Sequence, residues 1–157
     1  MEVTLLAVGR LRPYYREAGD DYVRRLKRYL RLQEVEVREV SRAGSVERQR
    51  AEEATRIRER LPARAVVVAL ARAGKPWTSE ALAAALARWQ EAARPVALLI
   101  GGSHGLDPAL LAEADQRWSL GPLTLPHELA RVVVLEQLYR ACTILRGEPY
   151  HKGKAAE

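Results

Sequence analysis

The sequence predicts an α/β fold, a mostly parallel sheet flanked by helices on both faces. Two observations carry this. Residues 65–70 (AVVVAL) and 95–100 (PVALLI) are uninterrupted apolar runs of strand length, the pattern of strands covered on both faces. Strand-like segments also alternate with helical periodicity along the chain, in the order β-α-β-α-β-α-β-α-β-α. The 157 residues, 48% apolar and 29% charged, suit one domain with a sizeable core. Residues 1–157 are read as that domain, with 153–157 as a flexible tail.

Residues 3–8 form the first buried strand, ended by Gly9. A helix is expected over residues 13–30, with Tyr15, Ala18, Tyr22, Leu26 and Tyr29 at helical spacing and Arg24, Arg25, Lys27, Arg28 and Arg31 on the other side. Residues 33–40 alternate Val35, Val37 and Val40 with charged residues, as in a half-exposed strand near an edge. Residues 45–61 read as a solvated, charged helix with a thin stripe of Val46, Ala54, Ile57 and Leu61. After the 65–70 strand, residues 71–77 are expected to be loop. Thr78 then caps a helix whose stripe is Leu82, Leu86, Trp89 and Ala93. The 95–100 strand runs into Gly101-Gly102-Ser103-His104-Gly105, and Asp107 caps a short helix with Pro108 at its first position. Residues 117–120 read as a last short strand, 121–125 as an uncharged loop, and 126–145 as a long helix ended by Gly147 and Pro149. That last helix is apolar on more than one side. It either lies on the sheet and meets a second subunit, or is a central helix within one chain.

The formal charge is +6, and 22 of the 26 basic residues are Arg. Residues 1–64 hold 16 basic and 11 acidic residues, a net +5, against 10 and 9, a net +1, over the remainder. A polyanion such as RNA fits this asymmetry, as does a merely soluble, Arg-rich surface. The lone Cys142 forms no internal bridge and suits a reducing, cytoplasmic setting. No signal peptide or membrane-length apolar run is read in the sequence. Three His and one Cys show no metal-ligand spacing, and no nucleophile elbow or P-loop occurs.

Three segments could carry chemistry. The glycine loop after the fourth apolar strand sits where α/β proteins hold ligands, but its G-G-x-x-G spacing is not that of a dinucleotide site, and tight turns also use glycine. The uncharged run Leu120, Gly121, Pro122, Leu123, Thr124, Leu125 offers free backbone groups to a ligand such as adenine, or is an ordinary connection. Near the end, Glu136 and Arg140 are spaced to pair on one helical face, and Tyr150, His151 and Lys152 follow, a set that can clamp a base and its phosphate or simply fray. His127 either polarises a ligand or caps a turn.

The runs LLIGGSHGL, WSLGPLTLPHELARVVVLEQLYRACTILRGEPYHK and the initial LLAVGR, with the Gly74–Trp77 loop, resemble the ribosomal RNA large subunit methyltransferase H (RlmH) family of SPOUT-class enzymes over essentially the whole chain. The resemblance implies an α/β-knot fold with a C-terminal trefoil knot and a homodimer whose active sites combine both subunits. It implies S-adenosylmethionine as cofactor, held by Leu70, Gly101 and Leu120 through Leu125. It further implies methylation of N3 of a pseudouridine in helix 69 of 23S ribosomal RNA, on the assembled ribosome. Candidate catalytic residues are then His151, Tyr150, Arg140 and Glu136, with Arg24, Arg28, Arg31 and Lys152 contacting RNA. No metal is required. The rival readings are a noncatalytic ribosome-binding module of this fold, which would not bind S-adenosylmethionine, and a nucleotide-dependent oxidoreductase, which the glycine spacing disfavours.

Overall fold

The computed structural model describes residues 1–41 and 44–150. His151, Lys152 and the expected tail at 153–157 lie outside the described residues. In chain order the elements are β1 (Glu2–Val8), α1 (Pro13–Leu26), β2 (Arg31–Val37), α2 (Val46–Arg60), β3 (Val66–Lys75), α3 (Ser79–Glu91), β4 (Val96–Ile100), α4 (Pro108–Glu113), β5 (Gln116–Trp118) and α5 (His127–Arg146). The five strands pair in parallel in the order β2-β1-β4-β3-β5, so the alternating strand read near an edge is an edge strand.

Side-chain alternation along the strands separates two cores. Val3, Leu5, Leu98 and Ile100 belong to the core shared with α1, α3 and α5. Leu6, Val8, Ala97 and Leu99 belong to the one shared with α2 and α4. Three helix starts follow from short polar side chains: Ser45 Oγ, Thr78 Oγ1 and Asp107 Oδ2 accept from the amides of Arg48, Ala81 and Ala109.

Several expectations are corrected. α1 ends at Leu26, not residue 30, because the Arg31 amide bonds the Met1 carbonyl (3.0 Å) and draws the chain into register beside β1. Arg28 therefore sits in the turn and Arg31 opens β2, leaving only Arg24 of the three RNA candidates on the helix. Ala18 is exposed, and its neighbour Gly19 is the buried residue. Gly19 faces α5, where a Cβ would lie in ordinary contact, 3.5 Å, with Leu135. β2 stops at Val37 because β1 stops at Val8, and Val40 instead donates its amide to the buried Glu53 carboxylate (3.0 Å). Val46 lies outside the buried stripe of α2, at 38% exposure, and Ala93 follows the end of α3 with φ +52°.

The largest departure is in β3. Residues 71–75, expected as loop, carry the strand onward to Lys75. Both Leu70 and Lys75 pair with Trp118, so the residues between them bulge out. A Cβ on Gly74 would fall 2.6 Å from the Arg117 carbonyl group, so only glycine permits this crossing.

α5 lies in the same helical layer as α1 and α3 and packs against both. Part of its apolar girth is thus buried within the chain, while Leu129, Val132, Val133 and Ile144 stay partly exposed and Leu145 is exposed. Among the described residues no helix is long and apolar enough to cross a membrane.

Candidate functional site

A cavity of about 930 Å³ opens beyond the bulge of β3 and the carboxyl end of β4, the usual ligand position in an open α/β sheet. Its walls come from the glycine loop, the segment after β5 and the start of α5. Leu70, Gly101, Leu120, Gly121, Leu123, Thr124 and Leu125 all line it, whereas Pro122 does not.

Local geometry explains the wall. A Cβ on Gly101 would lie 2.5 Å from the carbonyl carbon of Gly105, so the loop folds back upon a bare backbone. Gly105 (φ +75°) and Gly121 (φ +116°) occupy conformations that disfavour side chains. Ser119, buried at the end of β5, accepts from the Gly121 amide (3.1 Å) and donates to the Gly121 carbonyl (3.3 Å), while its own amide bonds the Lys75 carbonyl (2.8 Å). Sequence reading passed over Ser119; a serine two residues before a glycine is the available signal for this turn. Arg50 and Arg72 were also missed, because they reach the cavity from α2 and from the bulge. His127 lines the cavity too, and it opens α5.

The first turn of α5 is clamped by charge. The Glu128 carboxylate takes the Arg12 amide (2.6 Å) and the Arg12 Nε (2.8 Å). Burial pushes the Glu128 carboxyl up, but the Arg12 amide and charge outweigh this and hold it below the usual range. Arg131, with a side chain only 3% exposed, donates to Glu36 (2.6 Å) and lies 3.7 Å from Glu34. Burial lowers its guanidinium pKa, and both carboxylates oppose that.

A second cluster lies farther along α5. Glu136 Oε1 accepts from Arg140 Nε (3.0 Å), Arg140 Nη2 (2.7 Å) and the Tyr150 hydroxyl (3.1 Å). The Arg140 guanidinium sits 4.9 Å over the Tyr150 ring, and Tyr139 meets that ring edge-on at 4.6 Å. The hydrogen bond to Glu136 keeps Arg140 firmly cationic. Burial, a bond with Tyr22 and the Glu136 charge push the Tyr150 phenol up, so it remains a neutral donor. Tyr139, Glu148, Pro149 and Tyr150 line a second hollow of about 430 Å³. Burial and the 2.5 Å bond to Glu148 raise Tyr29 to about 12.

The structure thus brings Glu136, Arg140 and Tyr150 together, while His151 and Lys152 lie outside the described residues. None of the three lines the cavity: beyond Ala130, the last residue of α5 to line it, Glu136 is six residues on, about 9 Å along the helix axis, and Arg140 ten, about 15 Å. Arg24 and Arg31 are well exposed, and Arg28 covers the Tyr29 ring. Arg31 stands opposite Glu2, at the amino end of the sheet and far from the cavity. Burial raises the Cys142 thiol to about 11, as for an inert core residue. Among the described residues, no group of three or more His, Cys, Asp or Glu is placed to hold a metal.

The match to known proteins agrees with this architecture. Residues 1–151 match the family model described as "Predicted SPOUT methyltransferase". The chain is 48% identical over 153 residues to ribosomal RNA large subunit methyltransferase H of Anaeromyxobacter dehalogenans, covering 97% of this chain and 100% of that one. It is 53% identical over 153 residues to the protein of the same name from Rubrobacter xylanophilus, covering 94% and 96%. A probable methyltransferase from Bordetella pertussis, 16% identical, superposes with a TM-score of 0.54 over 90% of this chain and 96% of its own, a likeness of fold. The chain belongs to the SPOUT methyltransferases, within the family of ribosomal RNA large subunit methyltransferase H.

Proposed function

We propose that this protein uses S-adenosylmethionine to methylate N3 of a pseudouridine in helix 69 of 23S ribosomal RNA, on the assembled ribosome in the cytoplasm. The observation that carries this reading is the cavity built from Gly101 and the 120–125 segment, in a chain of this family. Its aliphatic and backbone walls suit a nucleoside with an aliphatic tail. We read residues 1–157 as one catalytic domain and its C-terminal region as the family's trefoil knot.

When bound, S-adenosylmethionine supplies an electrophilic methyl group on a sulfonium. The chain's own task is alignment, because reacting atoms must approach to about 3–3.5 Å. N3 carries a proton and is a poor nucleophile until it leaves, so a base or a cation that favours the imidate is needed. We assign His151 as base or orienter, Tyr150 to stack on or orient the nucleobase, and Arg140 and Lys152 as cations. Glu136 holds Arg140 and Tyr150 in place, as its three accepted hydrogen bonds support.

Arg140 stands about 15 Å along α5 from Ala130, the last residue of that helix to line the cavity, well beyond the approach of about 3–3.5 Å that reacting atoms need, which favours the site shared between two copies that the family resemblance implies. We therefore read the enzyme as a homodimer in which each cavity meets the tail cluster of the other copy. The partly exposed Leu129, Val132 and Val133 beside Glu136 give such a contact an apolar start. Arg24, Arg28 and Arg31 would hold the RNA backbone.

The test supplies labelled S-adenosylmethionine to ribosomes from cells lacking this enzyme and, in parallel, to naked ribosomal RNA. Label is expected in the ribosome alone, at the helix-69 pseudouridine. Label in neither, with the cofactor unbound, would reduce the protein to a noncatalytic binding module.

A further inference from the structure

The charged groups facing the cavity are of one kind. Arg50 and Arg72 reach it along with His104 and His127, and among the described residues that line it none is acidic. Arg72 is exposed on the bulge, whereas Arg50 is half-buried where α2 meets the glycine loop. Arg50 is also left short of partners. Its Nε is buried without a hydrogen-bond acceptor, and its Nη1 makes one long contact, 3.5 Å, to the His104 carbonyl. No carboxylate lies within ion-pair distance of it among the described residues. The Arg50 guanidinium thus lines the cavity without a carboxylate partner, and an anion presented from the cavity would give its outer nitrogens one.

Resting on the reading of this cavity as an S-adenosylmethionine site, we propose that Arg50 recognises the carboxylate of the cofactor's amino-acid moiety. Arg50 is then a specificity-determining residue that orients the ligand. The amino-acid end points to α2 and the glycine loop, where Arg50 lies beside His104 and the Ser103 hydroxyl is held by Glu39 Oε1 (3.2 Å). The adenosine end lies against Leu120, Leu123 and Leu125. An arginine suits this role because its fork matches both oxygens of a carboxylate.

The test compares S-adenosylmethionine with its decarboxylated analogue by calorimetric titration of the full-length protein. The wild type is expected to prefer the carboxylated ligand by roughly tenfold to a hundredfold. Arg50→Gln should weaken S-adenosylmethionine binding by most of that factor and leave the analogue unchanged, so that the preference collapses. Arg50→Lys, which keeps the charge but not the fork, should retain part of it, and Arg72→Gln should retain nearly all. Equal affinities in the wild type, a preserved preference in Arg50→Gln, or parallel loss of both ligands would overturn the assignment. Preserved preference with weakened ribosome binding would make Arg50 an RNA-binding residue instead. If neither ligand binds the wild type, the reading of the cavity itself fails, a result distinct from the others.

Discussion

At the carboxyl ends of β3 and β4 the chain builds a concave wall from backbone, glycine and leucine; about 15 Å farther along α5 it builds a surface from tyrosine and arginine. The first region is shaped by what is missing. Gly101 and Gly74 permit backbone contacts that a Cβ would block. The second is shaped by what is paired: Glu136 gathers Arg140 and Tyr150, and Tyr22, Tyr29 and Tyr139 interleave with Arg25, Arg28 and Arg146. A shaped, largely uncharged hollow suits a cofactor held by fit. Aromatic rings crossed by guanidinium groups suit a splayed base and its phosphates. On the proposed reading the two regions are complementary halves of one reaction, set apart along α5.

If this division is right, substitutions at the two ends should damage different steps. The largest effect is expected for Arg140→Ala. It should lower methyl transfer by roughly 10²–10³, as for loss of a group that stabilises developing charge, with cofactor affinity unchanged in a titration. A parallel loss of affinity would erase the distinction. Gly101→Val should do the reverse. Its side chain meets the Gly105 backbone, so cofactor binding should weaken by about tenfold to a hundredfold at little cost to ribosome binding, measured by co-sedimentation.

A smaller effect concerns the amino end alone. Replacing Arg24, Arg28 and Arg31 with Glu should flatten the dependence of ribosome affinity on salt, by about one unit of log–log slope for each phosphate no longer neutralised. An unchanged slope would remove these residues from the RNA surface. The smallest concerns the clamp between the two regions. Because the folded-state pKa of Glu128 is depressed, its ionised form stabilises the fold at neutral pH. That contribution is lost as pH falls through the depressed value. Glu128→Gln should therefore lower Tm at pH 7, and the difference from wild type should shrink in acid. A constant difference would mean that the charge of Glu128 is not what anchors α5.

Much of this division was legible in the residues, because it rests on local patterns. The runs at 65–70 and 95–100 can only be covered strands, and Ser45, Thr78 and Asp107 announce helix starts by their own chemistry. The four-residue spacing of Glu136 and Arg140 sufficed to pair them. What escaped depends on partners distant in sequence. α1 stops where β1 recruits Arg31, a competition invisible in the helical stripe of Tyr22, Leu26 and Tyr29. The continuation of β3 to Lys75 depends on Trp118 being opposite twice, which no local window reveals. Arg50 reads as one more charge on a solvated helix until the glycine loop is folded beside it. The gap of about 15 Å between the cavity and Arg140 appears only once α5 is laid along the sheet.

The decisive measurement mixes two weakened variants. Gly101→Val has an impaired cavity and Arg140→Ala an impaired cluster, so at a cofactor concentration below the wild-type Kd each alone should transfer methyl groups at about a tenth of the wild-type rate or less. In a mixed dimer with composite sites, the cavity of the Arg140→Ala copy meets the intact cluster of the Gly101→Val copy. After unfolding and refolding an equal mixture, about a quarter of wild-type activity per subunit should return, since half the dimers are mixed and each holds one intact site. No recovery, with mixed dimers demonstrated by differential tagging, would mean that each chain performs the transfer with its own residues and would contradict the account.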